Sequence, residues 1–533
     1  MSEGPELYPD DEDNRALEAN VHPRDWRNPE PAQRYNLVVI GAGTAGLVTA
    51  AGAAGLGARV ALIERNWLGG DCLNVGCIPS KVLLRSARAM GDIRKAGELG
   101  VRVPPGSQAD FAAVMQRMRR IRRRISAMDS AQRFRDLGVD VFFGSARFAG
   151  GDCVEVRAGE PHGDRSLRFK RAVIATGARP IVPAIPGLSE AGFLTNETVF
   201  SLTTLPRRMV VLGAGPIGCE LAQAFQRLGS QVTLVEMGSQ FLPREDPDAA
   251  AILLASLRRD GVDVRLETTL SEVAASPLPR SGSPAGSGDS PDSADADSHG
   301  AKRVTLDRGG KSETLTVDEI LVGVGRAPNV ENLGLAEVGI ETDRRGVVVN
   351  DRLQTANPRV YAAGDVCLSY KFTHAADFSA RTVIQNALFF GRSRASALTI
   401  PWCTYSEPEI AHVGLYEREA AAAGFEIDTF VRQLAEVDRA IAEDDEEGFV
   451  KIHVKRGTDK IVGATIVARN AGDMISEVSV AMAGKVGLSR LASVIHPYPT
   501  QAEAIRQIGD AYRRTRLTPL VARVLRAFLA LTR

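Results

Sequence analysis

The chain has 533 residues, which at about 150 residues per domain predicts three or four domains. Hydrophobic residues make up 44% and charged residues 24%, a composition that excludes a mostly disordered protein. Lys plus Arg and Asp plus Glu both number 65, so no basic footprint for nucleic acid exists and we expect no nucleic-acid partner. Six cysteines in this length exclude a disulfide-stapled secreted domain but leave room for one special pair.

The first segment, residues 1–34, carries nine acidic and four basic residues. A secretory signal needs a basic start and an apolar run, so we expect no signal peptide and a cytoplasmic protein. We predict an acidic, disordered tail here. The uncharged stretch that follows, from Leu37 to Ala58, holds six glycines and leads into the β-rich run 59–64. This pattern favours strand, turn, helix and strand over a membrane span.

The strongest pattern is an internal repeat. The stretch LVVIGAGTAG at 37–46 recurs as MVVLGAGPIG at 209–218, and each copy leads to a second strand ending in an acid, Glu64 or Glu236. The first glycine of G-x-G-x-x-G permits a tight turn, the second lets a pyrophosphate approach, and the third lets helix pack on strand. The helix N-terminus attracts phosphate, and the acid accepts from a ribose hydroxyl. The sequence therefore predicts two dinucleotide-binding βαβ units.

Between the two units lies GGDCLNVGCIPSK, in which Cys72 and Cys77 are five positions apart. On a regular helix this spacing spans roughly 7.5 Å along the axis, too far for a disulfide without a bend, which Gly76 can supply. Pro79 fits the first turn of a helix running through Lys81, so Cys77 is expected at the helix N-terminus, where the dipole favours a thiolate. Zinc usually needs four ligands, and no second Cys or His pair follows nearby. Two unrelated structural thiols are the other alternative.

These motifs closely resemble the class I pyridine nucleotide-disulfide oxidoreductases, which include glutathione reductase, dihydrolipoamide dehydrogenase and mercuric reductase. The resemblance covers Tyr35 to about Arg516. It implies an α/β fold with two Rossmann-like FAD- and NAD(P)-binding domains plus a C-terminal α+β dimerisation domain, in a homodimer. It also implies a redox-active Cys72–Cys77 disulfide. In that family the counterpart of Cys77 is the charge-transfer thiolate near the flavin, and that of Cys72 is the interchange thiol that meets substrate.

The resemblance assigns further residues to the cofactor sites. Ala175-Thr-Gly resembles the return point of the flavin domain, and the run ending in Gly364-Asp365 resembles the second flavin motif, whose Asp contacts the ribityl chain. Lys81 and Glu220 match an ion pair that the family places near the flavin ring. The expected cofactor-binding residues are Gly41, Gly43, Gly46, Glu64, Gly70, Lys81, Thr176, Gly177, Gly213, Gly215, Gly218, Glu236, Gly325, Gly364, Asp365 and His374.

The domain boundaries follow from these motifs and from composition. We predict the acidic tail at 1–34, the FAD-binding domain at 35–190, the NAD(P)-binding domain at 191–326 with a disordered Ser/Gly/Pro/Asp-rich insert at 277–300, the second FAD-binding part at 327–398, the dimerisation domain at 399–516 and an amphipathic tail at 517–533. In that last tail Arg523 and Arg526 lie opposite an apolar stripe. We expect it to pack on the body or on the partner subunit rather than on a membrane, and binding at a membrane surface is the alternative.

The C-terminal site discriminates among family members. Disulfide reductases of the family carry His-Pro-Thr-x-x-Glu, whose His acts as acid and base in the partner's site. This chain reads HPYPTQAE, in which Tyr498 takes the His position, Glu503 keeps its place and His496 falls two residues earlier. Tyrosine, with an ordinary pKa near 10, is a poorer base near neutrality. Mercuric reductases also place a Tyr there, and the segment 401–414 resembles the same branch. Tyr498 and Glu503 are therefore expected to complete the partner's site.

Three features depart from a plain mercuric reductase. The sequence shows no C-terminal Cys pair and no Cys-containing metal-binding domain at its start. Glu236 disfavours the 2′-phosphate of NADPH and favours NADH. The leading hypothesis is FAD-dependent, NAD(P)H-driven reduction of Hg(II) or a related thiophilic acceptor, held transiently by Cys72 and Cys77. The alternatives are a dihydrolipoamide dehydrogenase-like disulfide reductase with His496 as its base, and a non-enzymatic flavoprotein redox sensor.

Overall fold

The computed structural model describes residues 7–159, 162–275, 301–424 and 426–533. The insert predicted at 277–300 lies outside these residues. The described residues divide into two compact units. The first comprises those up to Ser239 and within Gly261–Leu398, and the second comprises Gln240–Asp260 with Thr399–Arg533. The sequence-based boundaries place Gln240–Asp260 in the nicotinamide domain, whereas in the structure it belongs with the C-terminal unit.

The helices and strands of the first unit follow the alternation that the motifs predict. Up to Ala191 the elements are α1 (Glu12–Val21), β1 (Tyr35–Ile40), α2 (Thr44–Gly55), β2 (Val60–Glu64), α3 (Gly70–Asn74), α4 (Cys77–Lys95), α5 (Phe111–Ser126), α6 (Ala131–Asp136), β3 (Val139–Phe143), β4 (Ser145–Gly150), β5 (Cys153–Arg157), β6 (Arg165–Ile174), β7 (Ala178–Pro180) and α7 (Leu188–Ala191). From there to Leu388 they are β8 (Arg208–Leu212), α8 (Pro216–Leu228), β9 (Gln231–Val235), α9 (Pro247–Arg259, in the second unit), β10 (Asp263–Arg265), β11 (Thr269–Ala275), β12 (Lys302–Arg308), β13 (Lys311–Val317), β14 (Glu319–Val322), β15 (Arg326–Pro328), β16 (Thr342–Asp343), β17 (Gly346–Val347), β18 (Val360–Ala362) and α10 (Thr373–Leu388).

A seven-stranded sheet carries the first repeat. Its strand order is β3-β2-β1-β6-β5-β4, and β18 also pairs with β6. Strand β1 runs parallel to both β2 and β6, with Leu37 opposite Val60 and Arg171. Leu37 and its neighbours Val38 and Val39 are all fully buried, because helices and a second layer cover both faces of a parallel strand. This explains why β1 reads as a continuous apolar run.

The second repeat has its own sheet. Strands β10, β9, β8 and β14 pair in that order and are all parallel, with β8 next to both β9 and β14. A separate antiparallel sheet of β11, β12 and β13 follows, and the predicted insert falls in the sequence between β11 and β12. Both βαβ units that the glycine spacing predicts are therefore present as strand, helix and parallel strand.

The described part of the N-terminal segment is ordered, which corrects the prediction of a disordered tail. Helix α1 is capped by Asp11 and buries Leu17 and Val21 in the core of the first unit. The capping Asp11 forms an ion pair with Arg119 of α5, and Asp13 of α1 forms one with Arg123. The acidic composition that suggested disorder instead complements the basic helix α5, a long-range match that composition alone does not reveal.

A buried arginine connects this N-terminal helix to the segment that contains the two cysteines. The guanidinium of Arg122, on α5, is almost fully buried. It donates to Asn14 Oδ1 of α1 at 2.6 Å and to the backbone oxygen of Asn74, at the end of α3, at 2.8 Å. Arg122 thereby joins α1 to the helix that carries Cys72.

The second unit is an α+β domain, as predicted. Its elements are α9, β19 (Pro401–Thr404), β20 (Glu409–Gly414), α11 (Glu417–Ala422), β21 (Ile427–Gln433), α12 (Asp438–Ala442), β22 (Phe449–Lys455), β23 (Ile461–Ala468), α13 (Ala471–Ala483), α14 (Leu488–Leu491), α15 (Glu503–Thr515) and α16 (Pro519–Leu531). The five strands form one antiparallel sheet in the order β19-β20-β23-β22-β21, with α13 and α15 packed on it. Asp246, which caps α9, accepts a hydrogen bond from Lys451 Nζ of β22 at 2.9 Å. That bond helps attach Gln240–Asp260 to this unit.

The last helix, α16, bears on the expectation that the tail packs on the body or on the partner subunit. Every residue of α16 lies in the described part of the chain, and none is buried. The tail therefore buries no residue on its own unit, and packing on the partner subunit stays a prediction. Thr518 caps the helix by accepting a hydrogen bond from the backbone N–H of Val521 at 3.3 Å. Among the described residues, no helix has both the length and the apolar character needed to cross a membrane.

Candidate active site

The two cysteines occupy separate helices because the chain breaks between them. Cys72 lies in α3, and Cys77 is the first residue of α4. Gly76 is required at the break, since a Cβ there would lie 2.7 Å from the backbone oxygen of Asp71. Pro79 falls in the first turn of α4, where its missing N–H costs nothing. The predicted bend and helix start are both present, and they put Cys77 at the positive end of α4.

The two sulfurs are thiols in this structure and differ in acidity. The hydrogen bond between them lowers the pKa of Cys77 to about 6 and raises the pKa of Cys72. Burial opposes the lowering of the Cys77 pKa, whereas the Thr373 hydroxyl and the Lys81 ammonium add to it. Thr373 Oγ1 lies 3.3 Å from Cys77 Sγ. At neutral pH Cys77 is therefore the thiolate and Cys72 the thiol.

Lys81 and Glu220 come together as predicted. Lys81 lies one helical turn after Cys77, and its Nζ is 2.8 Å from Glu220 Oε2 on α8. The Glu220 side chain is only 7% exposed. Lys81 lowers the pKa of Cys77 and Glu220 raises it, because opposite and like charges act with opposite sign on a thiolate. The pair links the helix that starts at the thiolate to the helix of the second repeat.

The first glycine loop has the geometry of a phosphate cradle. Gly41 has a φ of +101°, and a Cβ on Gly46 would lie 1.8 Å from the Gly41 oxygen, so neither position admits another residue. Gly43 caps α2 and has no side chain to satisfy the first N–H groups of the helix. Glu64 Oε2 accepts from the backbone N–H of Ala42 at 2.6 Å. These features fit the pyrophosphate and ribose of FAD.

The second loop repeats this construction. Gly213 has a φ of +96°, and a Cβ on Gly218 would lie 2.0 Å from the Gly213 oxygen. Gly215 caps α8. Glu236 accepts from the backbone N–H groups of Ala214 and Gly238, both at 2.9 Å. The second loop therefore fits a pyridine nucleotide in the same way that the first fits FAD.

Segments far apart in sequence meet around the first loop. A Cβ on Gly70, at the start of α3, would lie 2.6 Å from Gly43 Cα. A Cβ on Gly364 would lie 3.0 Å from the Ala45 methyl group, and Thr176 Cα would lie 3.0 Å from a Cβ on the first loop glycine. Gly177, with a φ of +69°, completes the return after β6. The predicted flavin motifs thus surround one loop, and the cysteine segment begins beside it.

Arg326 is a residue that the sequence analysis missed. Its guanidinium pairs with Asp71 beside Cys72, donates to the Ala178 oxygen at 2.6 Å, and lies 3.9 Å from Asp365 Oδ2. Burial raises the pKa of Asp365, and the positive charge of Arg326 opposes that rise. Arg326 ties the second flavin motif to the cysteine helix. The one available signal was its position next to Gly325, which has a φ of +126° and belongs to the predicted cofactor set.

Thr373 is the second missed residue, and it directly precedes the predicted His374. It opens α10 and brings its hydroxyl to Cys77. His374 is exposed, and its ring stacks on Phe372 with centroids 5.4 Å apart and planes 6° apart. The side chain of this motif that reaches the thiolate is therefore Thr373.

In the second unit, each of the three C-terminal residues has its own partner. The Tyr498 hydroxyl donates to Asp438 Oδ2 at 2.8 Å, and Glu503 accepts from Arg506 Nη2 at 2.6 Å. His496 Nε2 lies 2.9 Å from Glu477 Oε1, and its side chain is 6% exposed. Tyr498 is 69% exposed, and the bond to Asp438 raises its pKa. Glu477 was missed because it lies on α13, well before the HPYPTQAE motif.

Comparison with known proteins identifies the family to which the chain belongs. The pyridine nucleotide-disulphide oxidoreductase family matches residues 35–380, and its dimerisation domain matches residues 400–508. The chain belongs to this family. Its members bind FAD and a pyridine nucleotide, and the dimerisation domain indicates a homodimer. The predicted family and fold class are confirmed.

Named relatives fall in more than one functional group. The chain is 32% identical to mercuric reductase of Staphylococcus aureus over 473 residues, which cover 89% of this chain and 81% of that protein. It is also 32% identical to dihydrolipoyl dehydrogenase of Thermus scotoductus over 490 residues, which cover 90% and 98%. Among solved structures it is similar to the HOCl-induced flavoprotein disulfide reductase RclA from Escherichia coli, with 28% identity, a TM-score of 0.75, and 89% and 99% of the two chains covered. RclA has also been solved as a Cu(II) complex.

Proposed function

We propose that this family member uses NAD(P)H to reduce Hg(II) or a related thiophilic metal ion, bound by Cys72 and Cys77. One NAD(P)H and one Hg(II) would yield one NAD(P)⁺, one proton and one Hg(0), so the two electrons of the hydride account for the reduction. The observation that carries this choice of acceptor is the exposed Tyr498 at the position where disulfide reductases of the family carry histidine.

Each glycine loop would hold one of the two cofactors of this reaction. The first glycine loop, Glu64, Thr176 and Asp365 would hold FAD, and the second loop with Glu236 would hold the nicotinamide nucleotide. FAD, when bound, supplies a two-electron carrier between the nicotinamide and the dithiol. The protein orients these groups and sets the acidity of the two thiols.

The dithiol suits a soft metal ion. Cys77 is already a thiolate at neutral pH. Thiolate sulfur is the ligand that soft metal ions prefer. Within the described residues, no cluster of three or more His, Cys, Asp or Glu side chains is arranged to hold a metal ion. Two sulfurs without a third such ligand favour brief binding and turnover over storage of the ion.

The C-terminal residues support the choice of a metal ion over a disulfide. A disulfide substrate needs a base to accept and return a proton, whereas a bound metal ion does not. Tyr498 is exposed, and its raised pKa leaves less of the phenolate form available to accept a proton near neutral pH. It can approach a ligand through its hydroxyl oxygen. We place Tyr498 and Glu503 at the partner's site in the homodimer.

A dihydrolipoamide dehydrogenase-like activity is the second candidate. It is favoured by the contact between His496 Nε2 and Glu477 Oε1, which orients the imidazole, and by the similarity to the Thermus scotoductus enzyme. Against it, the His496 side chain is almost covered within its own unit. If this candidate is right, His496→Ala should lower dihydrolipoamide turnover by at least about 100-fold and leave Hg(II)-dependent NAD(P)H oxidation unchanged.

The nucleotide choice follows from Glu236. Its carboxylate is fixed by two backbone N–H groups at the end of β9, where the 2′-position of the adenine ribose is read. A fixed negative charge there repels a 2′-phosphate. We therefore propose NADH as the preferred electron donor.

The deciding experiment uses the purified FAD-loaded dimer under anaerobic conditions. NADH and NADPH are compared as reductants, and Hg(II), Cu(II), lipoamide and glutathione disulfide are compared as acceptors. We expect turnover with Hg(II) that falls by at least about 1,000-fold in Cys72→Ala and Cys77→Ala. Cys153→Ala, which removes a cysteine from β5, a strand paired with β4 and β6, is the matched control and should behave as wild type. Hg(II) turnover that survives in both active-site variants would refute the thiol role, and FAD binding without turnover on any acceptor would favour a redox sensor.

A further inference from the structure

The C-terminal helix α16 presents a broad apolar face to solvent. Seven large apolar side chains of the helix are between 41% and 85% exposed: Leu520, Val521, Val524, Leu525, Phe528, Leu529 and Leu531. At 100° per residue these seven positions occupy one arc of about 180°. The opposite arc carries Arg523, Arg526 and Ala530. Exposing an apolar face of this size to water costs free energy, so we expect the face to bind a partner or a surface.

The charge of this segment indicates what the occupant is. From residue 511 to the last residue the sequence contains six arginines and no acid, within a chain whose formal net charge is zero. The six are Arg513, Arg514, Arg516, Arg523, Arg526 and Arg533. Such an unbalanced positive segment is complementary to an anionic surface. Two copies of it would repel one another.

The dimer interface is a poorer match for α16. The family's dimerisation domain ends its match at residue 508, before α16 begins at Pro519. The apolar arc is also wider than the narrow seam that two paired helices bury. A helix of thirteen residues is roughly 20 Å long, too short to cross a bilayer of about 30 Å but suited to lie along its surface.

We propose that α16 anchors the protein to a membrane surface that contains anionic lipid. The apolar arc lies among the upper acyl chains, and Arg523 and Arg526 face the headgroups. Phe528 and the leucines supply the apolar contacts, a combination typical of helices that bind in the interface plane. This inference is independent of the proposed acceptor. It reverses the sequence-based preference for packing on the body or on the partner subunit.

The test is vesicle flotation of the FAD-loaded dimer. Vesicles of equal parts phosphatidylglycerol and phosphatidylcholine are compared with vesicles of phosphatidylcholine alone. We expect wild type to float with the anionic vesicles, less with the neutral ones, and less as salt is raised. The double variant V524Q/F528Q should lose at least about tenfold in bound fraction. A530Q places the same side chain on the polar arc of the same helix and should bind as wild type.

Substitution of the arginines provides a second measurement, of the electrostatic part of vesicle binding. R523Q/R526Q should weaken binding to anionic vesicles by about fivefold for each arginine and leave binding to neutral vesicles unchanged. Flavin content and NAD(P)H oxidation should be the same in every variant, because no residue of α16 is buried. Loss of flavin in V524Q/F528Q alone would show that the face packs on the protein and would overturn the proposal.

Two other outcomes would also overturn it. Wild type that stays at the bottom of the gradient with both vesicle types has no membrane anchor. A smaller oligomer for V524Q/F528Q than for wild type in light scattering, with no flotation of wild type, would assign the face to a second copy. Flotation of wild type that V524Q/F528Q loses and A530Q keeps would establish the anchor.

Discussion

The two glycine-rich repeats share one backbone construction and differ in what surrounds them. In both, the third position must be glycine because a Cβ there would clash with the backbone oxygen of the first glycine. The distance would be 1.8 Å at Gly46 and 2.0 Å at Gly218. In both, the terminal glutamate accepts from the N–H of the alanine inside the motif. The motif therefore fixes the loop identically at the two places and does not itself distinguish their roles.

The middle glycine shows the difference. A Cβ on Gly43 would lie 3.8 Å from Cα of Gly70, at the start of the cysteine segment. Around Gly215 the described residues place nothing within 4 Å of such an atom. The first loop adjoins the dithiol and the second opens outward. Position in the fold, rather than the motif, supports FAD in the first loop and an exchangeable nucleotide in the second.

The largest expected effect separates the two repeats directly. Gly46→Ala should yield protein without flavin and abolish turnover, a loss of at least about 1,000-fold, because the methyl group cannot fit beside the Gly41 oxygen. Gly218→Ala should keep its flavin and lose about 100-fold in kcat/KM for the nucleotide. Flavin absorbance per protein and steady-state NAD(P)H oxidation measure both. Gly55→Ala, which meets no neighbour, is the control, and flavin loss confined to Gly218→Ala would reverse the assignment.

Substitutions in the Lys81–Glu220 ion pair are expected to have smaller effects, which shift the Cys77 pKa in opposite directions. The thiolate of Cys77 forms as pH rises through about 6, so alkylation of the reduced enzyme should accelerate through that midpoint. Lys81→Met removes the cation that stabilises the thiolate and should raise the midpoint pKa. Glu220→Gln removes the opposing anion and should lower it. We expect turnover at neutral pH to fall about tenfold in Lys81→Met, and identical midpoints in the two variants would contradict the electrostatic role.

The matched glutamates should separate cofactor choice from cofactor retention. Glu236→Gln is expected to reduce the preference for NADH over NADPH by about tenfold, since it removes the charge that repels the 2′-phosphate. Glu64→Gln should leave that preference unchanged and weaken flavin binding instead. The ratio of kcat/KM for the two nucleotides measures the first effect and flavin occupancy the second. A changed nucleotide preference in Glu64→Gln would mean that the two repeats are not independent.

The smallest expected effect tests Thr373. Thr373→Val removes the hydroxyl next to Cys77 Sγ and should raise the Cys77 pKa and slow turnover by about threefold, whereas Thr373→Ser should restore both. The alkylation midpoint distinguishes this from a packing change, because a packing defect alone would not shift it. Equal behaviour of Val and Ser at this position would remove Thr373 from the thiol's environment.

The sequence predicted those features that local backbone contacts impose. The first and third glycines of both repeats and Gly76 between the cysteines cannot be replaced without a clash. Their spacing in the sequence was therefore enough to predict these turns. The family resemblance then supplied Lys81 with Glu220, whose pairing the structure confirms.

The sequence did not predict partners chosen by the whole fold. Arg326 meets Asp71 from 255 positions away, and Glu477 rather than Glu503 holds His496. The acids of α1 looked like those of a disordered segment because their basic partners on α5 are more than a hundred residues distant. Long-range charge matches of this kind leave no periodic or local signal.

The helix α1 has a practical consequence for anyone who shortens this protein. A version that starts at Tyr35 matches the family boundary and would be the natural choice for expression. It would leave the buried Arg122 without Asn14 and uncover the apolar site that Leu17 fills, next to the helix that carries Cys72. Kinetic constants and thiol reactivities measured on such a fragment would describe a different dithiol from that of the full chain.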